Sequence, residues 1–348
     1  MIARSHLELA ILVLALLIAG GLLLVLGHGL AVWLERLAYG RRTHEARRAL
    51  AEAIARGGAG PETQRTLRRL SRRRALAVLE ELAPNLAGAD AATIGEAARD
   101  AGIVAKAEAG CRARSWRRRT HAVRVLTRLG SGETAVPPLL QDPRLEVRAA
   151  AAEWAAGHPL EPLADALLRL LADPEPLTRV TAMDSLIRMR RGAVPSLARA
   201  IEGAPAETLP VVLQVAARIA DADLAGPAAA RVGDTEPVVR MWVARLLGAI
   251  GGEEHTAAVQ ALLDDPAPEV RAAAAVALGR LGHWPAAPAL AGRLGDPAWR
   301  VRRDAGLALR SLGAPGELLL ERALRDSDPF ARDMARQTLD LPEAVLPA

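Results

Sequence analysis

Apolar residues recur along the C-terminal two thirds of the chain with the spacing of helices. In the segment from Asp265 to Gly282, apolar side chains follow one another at intervals of three and four residues, as on a helix with one buried face. They are Val270, Ala274, Ala277, Leu278 and Leu281. Asp265 opens the segment as the expected helix cap, with Pro in the first turn, and Gly282 follows the last apolar residue. The pattern predicts a helix entered from an Asp-Pro turn and ended by glycine.

Near-copies of this segment return about every 31 residues. The turn aspartates are Asp142, Asp173, Asp234, Asp265 and Asp296. Six residues after each comes an arginine: Arg148, Arg179, Arg240, Arg271 and Arg302. Between the second and third aspartates, Ala204 and Pro210 take the two positions, which predicts a local bend. Self-similarity at this length indicates an α-solenoid of stacked helix pairs.

The pattern weakens at both ends of the stack. One period before Asp142 the corresponding residues are Cys111 and Arg117, and one period after Asp296 they are Ser327 and Asp333. We therefore expect about seven to eight helix pairs in residues 111–341, followed by a tail at 342–348. Residues 35–110 form a separate basic helical region, which we interpret either as degenerate repeats or as capping units.

The recurring pattern, DPxxxVRxxAAxALGxLG at its clearest, resembles HEAT repeats, especially the short bacterial form also found in phycobilin-lyase-like proteins. The resemblance implies that the aspartates and arginines six residues apart form a hydrogen-bonded ladder along the stack. Their role would then be structural. It also implies that the second helix of each pair lines the concave face of the solenoid.

A different pattern marks the N-terminus, where residues 9–34 contain no Asp, Glu, Lys or Arg. A helix of this length extends about 39 Å, enough to cross a hydrocarbon core of about 30 Å. A cleaved signal peptide is the alternative, but its apolar region is shorter, about 7–15 residues, and ends at a small-residue cleavage site. Arginines cluster after the run, whereas only Arg4 precedes it. The positive-inside rule then predicts a single-pass protein of the inner or cell membrane, anchored by residues 1–34, with its N-terminus outside and its repeats in the cytoplasm.

Composition agrees with an all-α chain and locates the positive charge. Hydrophobic residues make up 51% of the sequence but aromatic residues only 2%, so helix contacts rest on Ala and Leu. Residues 36–119 carry 19 Lys and Arg against 9 Asp and Glu, which predicts attraction to anionic lipids. The single cysteine, Cys111, excludes an internal disulfide and is typical of a reducing compartment.

No motif in the sequence indicates catalysis. The seven histidines lack the spacing of metal ligands, and the glycine motifs that bind phosphates are absent. Ser131 lies between two glycines like an exposed nucleophile, but this segment coincides with the glycine turn between repeats. No histidine or acid is placed by the sequence to activate Cys111. We therefore expect no active site, no bound metal and no cofactor.

Candidate partner-binding residues lie on the second helices. Eleven residues after each turn aspartate, the side chains change along the stack from acidic to apolar, a profile typical of protein-binding surfaces. The candidates at this position are Glu153, Asp184 and Arg245, and a fourth candidate is Trp242, a tryptophan at a more exposed position of its helix. The first two, one period apart, favour a cationic partner surface. The alternative set, at the basic membrane-proximal end, is Arg117, Arg118 and Arg119.

These features together predict a non-catalytic, membrane-anchored scaffold that binds a membrane-associated protein complex. By architecture alone, it is similar to accessory subunits of polysaccharide-synthase glycosyltransferases. Two alternatives stay open: a lyase-like or chromophore-handling enzyme, and a nucleic-acid-binding solenoid. Nucleic acid is disfavoured as a partner because the positive charge does not follow the expected concave face.

Overall fold

The computed structural model describes residues 40–70, 72–82 and 89–342, and every regular element among them is helical. The all-α prediction is thus confirmed for this part of the chain. The described residues belong to two compact units. One lies within Met1–Arg114 and His121–Glu133, and the other within Ser115–Thr120 and Thr134–Ala348.

The first unit is built from short helices around aliphatic side chains. Its helix α1 covers residues 40–56, followed by α2 (Pro61–Arg68), α3 (Arg72–Leu82), α4 (Ala89–Asp100) and α5 (Ile103–Cys111). The larger part of α6 (Trp116–Leu129) completes it. The core side chains include Leu50, Leu67, Leu79, Ile94 and Leu126, each at most 1% exposed. Burial of such side chains stabilises helices that would be marginal in isolation at these lengths.

The second unit is an α-solenoid in which two helices alternate. In chain order its helices are α7 (Leu145–Ala155), α8 (Glu161–Leu170), α9 (Pro176–Met189), α10 (Val194–Gly203), α11 (Leu209–Ile219), α12 (Ala225–Ala229), α13 (Pro237–Ile250), α14 (Thr256–Ala261), α15 (Pro268–Leu281), α16 (Ala287–Gly292), α17 (Trp299–Ser311), α18 (Ala314–Ala323) and α19 (Pro329–Leu339). Even-numbered helices are the first of each pair and odd-numbered helices the second. The 3-10 helix Pro137–Gln141 takes the first place before α7, so the described part of this unit contains seven pairs.

Second helices pack directly on one another because their facing residues are small. In α15 the four consecutive residues Ala272–Ala275 are all buried, as expected for a helix with neighbours on both sides. A Cβ added at Gly248 of α13 would lie 2.5 Å from the Cβ of Ala277, and one at Gly279 would lie 2.9 Å from the Cα of Ala308 in α17. Glycine at both positions therefore permits the close approach.

The turn before α15 differs in one respect from the prediction. The Oδ1 of Asp265 accepts a hydrogen bond from the backbone N–H of Ala267 at 2.9 Å, and the helix begins one residue later at Pro268. The aspartate therefore closes an Asx turn ahead of the helix, and the residue at the N-cap, Ala267, makes no side-chain cap. The predicted end is confirmed, since Gly282 is left-handed with φ of +62°.

The membrane topology predicted from the sequence is contradicted for the described residues. None of the helices in residues 40–70, 72–82 and 89–342 is long and apolar enough to cross a bilayer. The segment on which the prediction rested, residues 9–34, lies outside the described residues.

Candidate functional site

A ladder of arginines and aspartates follows the turns between helix pairs. The guanidinium of Arg148 donates from Nε and Nη2 to both carboxylate oxygens of Asp173, at 2.7 and 2.8 Å. Its third donor, Nη1, binds the backbone carbonyl of Asp142 at 2.9 Å. One side chain thus ties its own turn to the carboxylate of the next repeat, with the bidentate geometry that arginine favours.

The same arrangement recurs at two further arginines of the predicted ladder. Arg240 binds the carboxylate of Asp265 at 2.6 and 2.8 Å, and Arg271 binds that of Asp296 at 2.8 and 2.9 Å. Their Nη1 atoms donate to the carbonyls of Asp234 and Asp265. The paired side chains are largely buried, with 2–5% of each aspartate and 11–12% of each arginine exposed. A buried pair of this kind is costly to break, because the remaining charge loses its partner.

The arginines keep these buried carboxylates ionised. Burial by itself raises the pKa of Asp173, Asp265 and Asp296, but hydrogen bonds from the arginine and from the backbone outweigh it. The pKa of each of the three carboxyl groups is therefore below its ordinary value. The same hydrogen bonds raise the pKa of the partner arginines.

The ladder is interrupted at the repeat where the sequence lacks both residues. Arg179 donates Nη1 to the carbonyls of Asp173 and Pro174, at 2.8 and 2.9 Å, but the next position is Ala204 and offers no carboxylate. Asp234, the following aspartate, pairs instead with Arg231 at 3.6 Å, because Pro210 replaces the ladder arginine before it.

Similar contacts continue beyond the five predicted pairs at both ends of the stack. At the first rung Arg119, not Arg117, binds Asp142, at 2.7 and 2.8 Å. Arg119 is therefore a ladder residue. Of the alternative partner-binding set, Arg117 and Arg118 are exposed. At the last repeat, Arg332 binds the carbonyl of Asp326 at 2.8 Å. Asp326 and Arg332 therefore each lie one residue before the positions that the period gives, Ser327 and Asp333.

Arg302, the last arginine of the predicted ladder, makes a different contact with the next repeat. Its Nη1 binds the carbonyls of Asp296 and Pro297, at 2.8 and 3.1 Å, like the other ladder arginines. Its guanidinium carbon, however, lies 4.5 Å from the ring centroid of Phe330, in a cation–π contact.

The predicted acidic pair lies on the second helices α7 and α9. Glu153 and Asp184 are both exposed. The carboxylate of Asp184 lies 3.8 Å from Arg188, one turn further along α9, so part of its charge is compensated within the helix.

The other two candidates, Trp242 and Arg245, form a single feature on α13. The guanidinium carbon of Arg245 lies 4.6 Å from the ring centroid of Trp242, and both side chains are half-buried. A matching stack lies on α17, where Arg303 is 5.1 Å from the ring of Trp299, which is 54% exposed. Each stack fixes a flexible arginine on an aromatic surface.

These stacks belong to a surface we call the arginine–tryptophan patch. It comprises Trp242 and Arg245 of α13, Arg280 of α15, and Trp299, Arg300 and Arg303 of α17. The three arginines of α15 and α17 were not identified from the sequence. The available signal was weak: at the position of Arg303 other repeats carry Ala, Val or Met, but at those of Arg280 and Arg300 they vary in character and include charged residues.

Cys111 is buried in the first unit. Burial, then the nearby Glu108, raises the pKa of its thiol to about 11. The thiol is therefore protonated near neutral pH, which makes it a poor nucleophile.

Comparison with known protein families gives a match over the C-terminal repeats. The family description "HEAT repeats" matches residues 256–340, the region from α14 to α19. These C-terminal repeats are HEAT repeats. No curated protein sequence matches the chain.

Several solved structures are similar to this chain. An engineered protein is 16% identical, with 80% of this chain and 98% of that one covered and a TM-score of 0.33. The CpcE–CpcF complex of phycocyanin lyase from Nostoc sp. PCC7120 is 21% identical, covering 59% and 92%, with a TM-score of 0.36. The karyopherin Kap121p bound to the SUMO protease Ulp1p is 15% identical, covering 84% and 37%, with a TM-score of 0.47.

Proposed function

We propose that the chain is a non-catalytic scaffold that binds a protein partner through the second-helix face of its C-terminal HEAT repeats. The observation that carries the proposal is the pair of arginine–tryptophan stacks on α13 and α17. Tryptophan and arginine are the residues most enriched among binding hot spots, because they contribute large contact areas at fixed positions. Helices that pack on both sides hold these side chains on a rigid support.

A stack of helix pairs suits this task, since each repeat adds surface without a new core. The protonated Cys111 thiol gives no support to a covalent mechanism, and we propose no catalytic residue. The identity of the partner is a separate question. Its link to a polysaccharide-synthase glycosyltransferase is an expectation from architecture, and none of the comparisons supports it.

The test is affinity purification of the full chain from its native cells, with quantitative mass spectrometry of the proteins recovered. We expect Trp242→Ala combined with Trp299→Ala to reduce recovery of the specific partner at least tenfold. The matched control is Trp284→Ala, which removes an even more exposed tryptophan, 65% exposed, next to the first helix α16. Thermal unfolding of each variant checks that the fold is retained. Equal recovery with the double variant and the control contradicts the proposal.

A further inference from the structure

The arginine–tryptophan patch carries more positive charge than its own carboxylate can balance. Asp304 of α17 is buried, with 6% of its side chain exposed, and pairs with Arg303 at 2.6 Å. Arg300 lies 3.8 Å from the same carboxylate. Arg245 and Arg280 form no ion pair with any described residue. Four guanidinium groups therefore share one carboxylate.

The arginines of the patch are close enough to affect one another. Burial, and then the charges of Arg300 and Arg280, lowers the pKa of Arg245, although Asp304 acts in the opposite direction. These groups come from three successive second helices. The middle helix, α15, carries the small residues Ala273 and Val276 at the positions that correspond to Trp242 and Arg245. Repulsion among like charges is relieved when an anion lies between them.

The excess of positive charge is local. Residues 134–348 contain 28 Asp and Glu against 23 Lys and Arg, so the rest of this region is acidic on balance. The negative charge of Glu269, an exposed residue at the start of α15, helps to raise the pKa of the ladder arginines Arg240 and Arg271. A nucleic acid needs a continuous track of phosphate contacts, whereas a short acidic peptide needs only a few.

We propose that the arginine–tryptophan patch binds an acidic segment of a partner protein, with the partner's Asp and Glu carboxylates held by Arg245, Arg280 and Arg300. Guanidinium groups bind carboxylates with two parallel hydrogen bonds, and two of these arginines are exposed enough to offer both donors. Trp242 and Trp299 supply apolar contact beside the charges. The inference rests on the proposed scaffold function and specifies the chemistry of its partner.

The test uses the full chain and three labelled probes: an eight-residue glutamate peptide, an eight-residue lysine peptide and a twelve-nucleotide thymidine DNA strand. Fluorescence anisotropy measures binding of each probe at several salt concentrations. We expect the glutamate peptide to bind, the lysine peptide not to bind, and binding to weaken as salt rises. Arg280→Glu combined with Arg300→Glu should weaken binding of the glutamate peptide at least tenfold.

The matched control makes the same change of charge elsewhere. Arg322→Glu with Arg325→Glu reverses two exposed arginines at the end of the first helix α18 and should change affinity less than twofold. Failure of the wild-type chain to bind the glutamate peptide overturns the inference, as does equal weakening by the control. Tighter binding of the DNA strand, lost with the same patch reversal, overturns it in favour of nucleic acid.

These outcomes separate the inference from the proposed function. If the glutamate peptide does not bind but the double tryptophan variant still loses its partner, the scaffold proposal stands and the acidic class is wrong. If the peptide binds at the patch but the tryptophan variant loses no partner, the acidic recognition stands and the proposed role of the tryptophan stacks is wrong.

Discussion

At the scale of single residues, the neighbours of an arginine decide what it contributes. Arg271 and Arg179 occupy the same repeat position, and each donates Nη1 to two carbonyls of its own turn. Only Arg271 finds a carboxylate on its other edge, that of Asp296. A comparison of Arg271 with Arg179 therefore isolates the contribution of one arginine–aspartate contact to stability.

We predict that Arg271→Ala lowers the free energy of unfolding by about 1–3 kcal/mol, because the buried carboxylate of Asp296 loses both hydrogen bonds from the guanidinium and retains the one from the backbone N–H of Ala298. Arg179→Ala removes the carbonyl hydrogen bonds alone and should cost less than half as much. Urea unfolding followed by circular dichroism measures both. Equal losses would mean that the carboxylate contact contributes nothing beyond the local turn.

At the scale of elements, the sequence predicts the helices well because each repeat carries its own signals. Val270, Ala274, Ala277 and Leu278 are buried as the periodicity requires, and Gly282 ends its helix. These features depend on residues a few positions apart. The contacts at the ends of the ladder could not be predicted in the same way, because they join side chains of different repeats.

The six-residue spacing comes from the bond between an arginine and its own turn. Arg332 keeps that spacing from Asp326 although the repeat itself is one residue shorter. Arg119 has no aspartate six residues before it, yet it reaches the carboxylate of Asp142 in the next repeat. The contact between repeats needs only an arginine within reach, so the sequence period alone does not identify it.

The interrupted rung gives a prediction of gained stability. Ala204 has φ of −68° and ψ of 148°, close to the −58° and 141° of the ladder residue Asp265, and a proline follows both. Ala204→Asp should therefore place a carboxylate within reach of the Nε and Nη2 of Arg179 without backbone strain. We expect the free energy of unfolding to rise by about 1 kcal/mol.

The control for this gain removes Arg179, the side chain that the new carboxylate is expected to bind. Ala204→Asp in an Arg179→Ala background should give little or no increase, since a double-mutant cycle isolates the interaction between the two side chains. A similar increase in both backgrounds would assign the effect to the turn itself rather than to the new rung.

At the scale of the whole molecule, the arginine–tryptophan patch is a feature that the sequence alone does not predict. Trp242 and Arg245 were recognised singly, because each stands out within its repeat. Arg280, Arg300 and Arg303 look like ordinary surface arginines until the stacking of α13, α15 and α17 brings them together. Long side chains from helices about 30 residues apart meet only in the folded stack, so their shared charge is a property of the assembly.

The second unit should not be equally stable along its length, because the stability of a solenoid is approximately a sum over repeats and their interfaces. The interfaces around α11 have no ladder rung, since Ala204 and Pro210 replace its residues. The two described non-glycine residues with positive φ, Arg190 and Ala220, follow α9 and α11 directly, and such conformations cost of order 1 kcal/mol or more. By contrast, α13, α15 and α17 combine two rungs with close packing at glycine.

We therefore predict that amide hydrogens of α9 and α11 exchange with solvent faster than those of α13, α15 and α17. Native-state hydrogen exchange with mass spectrometry, on the full chain, measures this directly, because local opening of a weak segment exposes its amides before global unfolding does. In the Ala204→Asp variant the exchange of α9 and α11 should slow about fivefold if the new rung adds about 1 kcal/mol, while that of α15 and α17 stays the same. Uniform exchange across the five helices, or slowing that spreads equally to α17, would show that the unit opens as one cooperative body and that the missing rung is not its weak point.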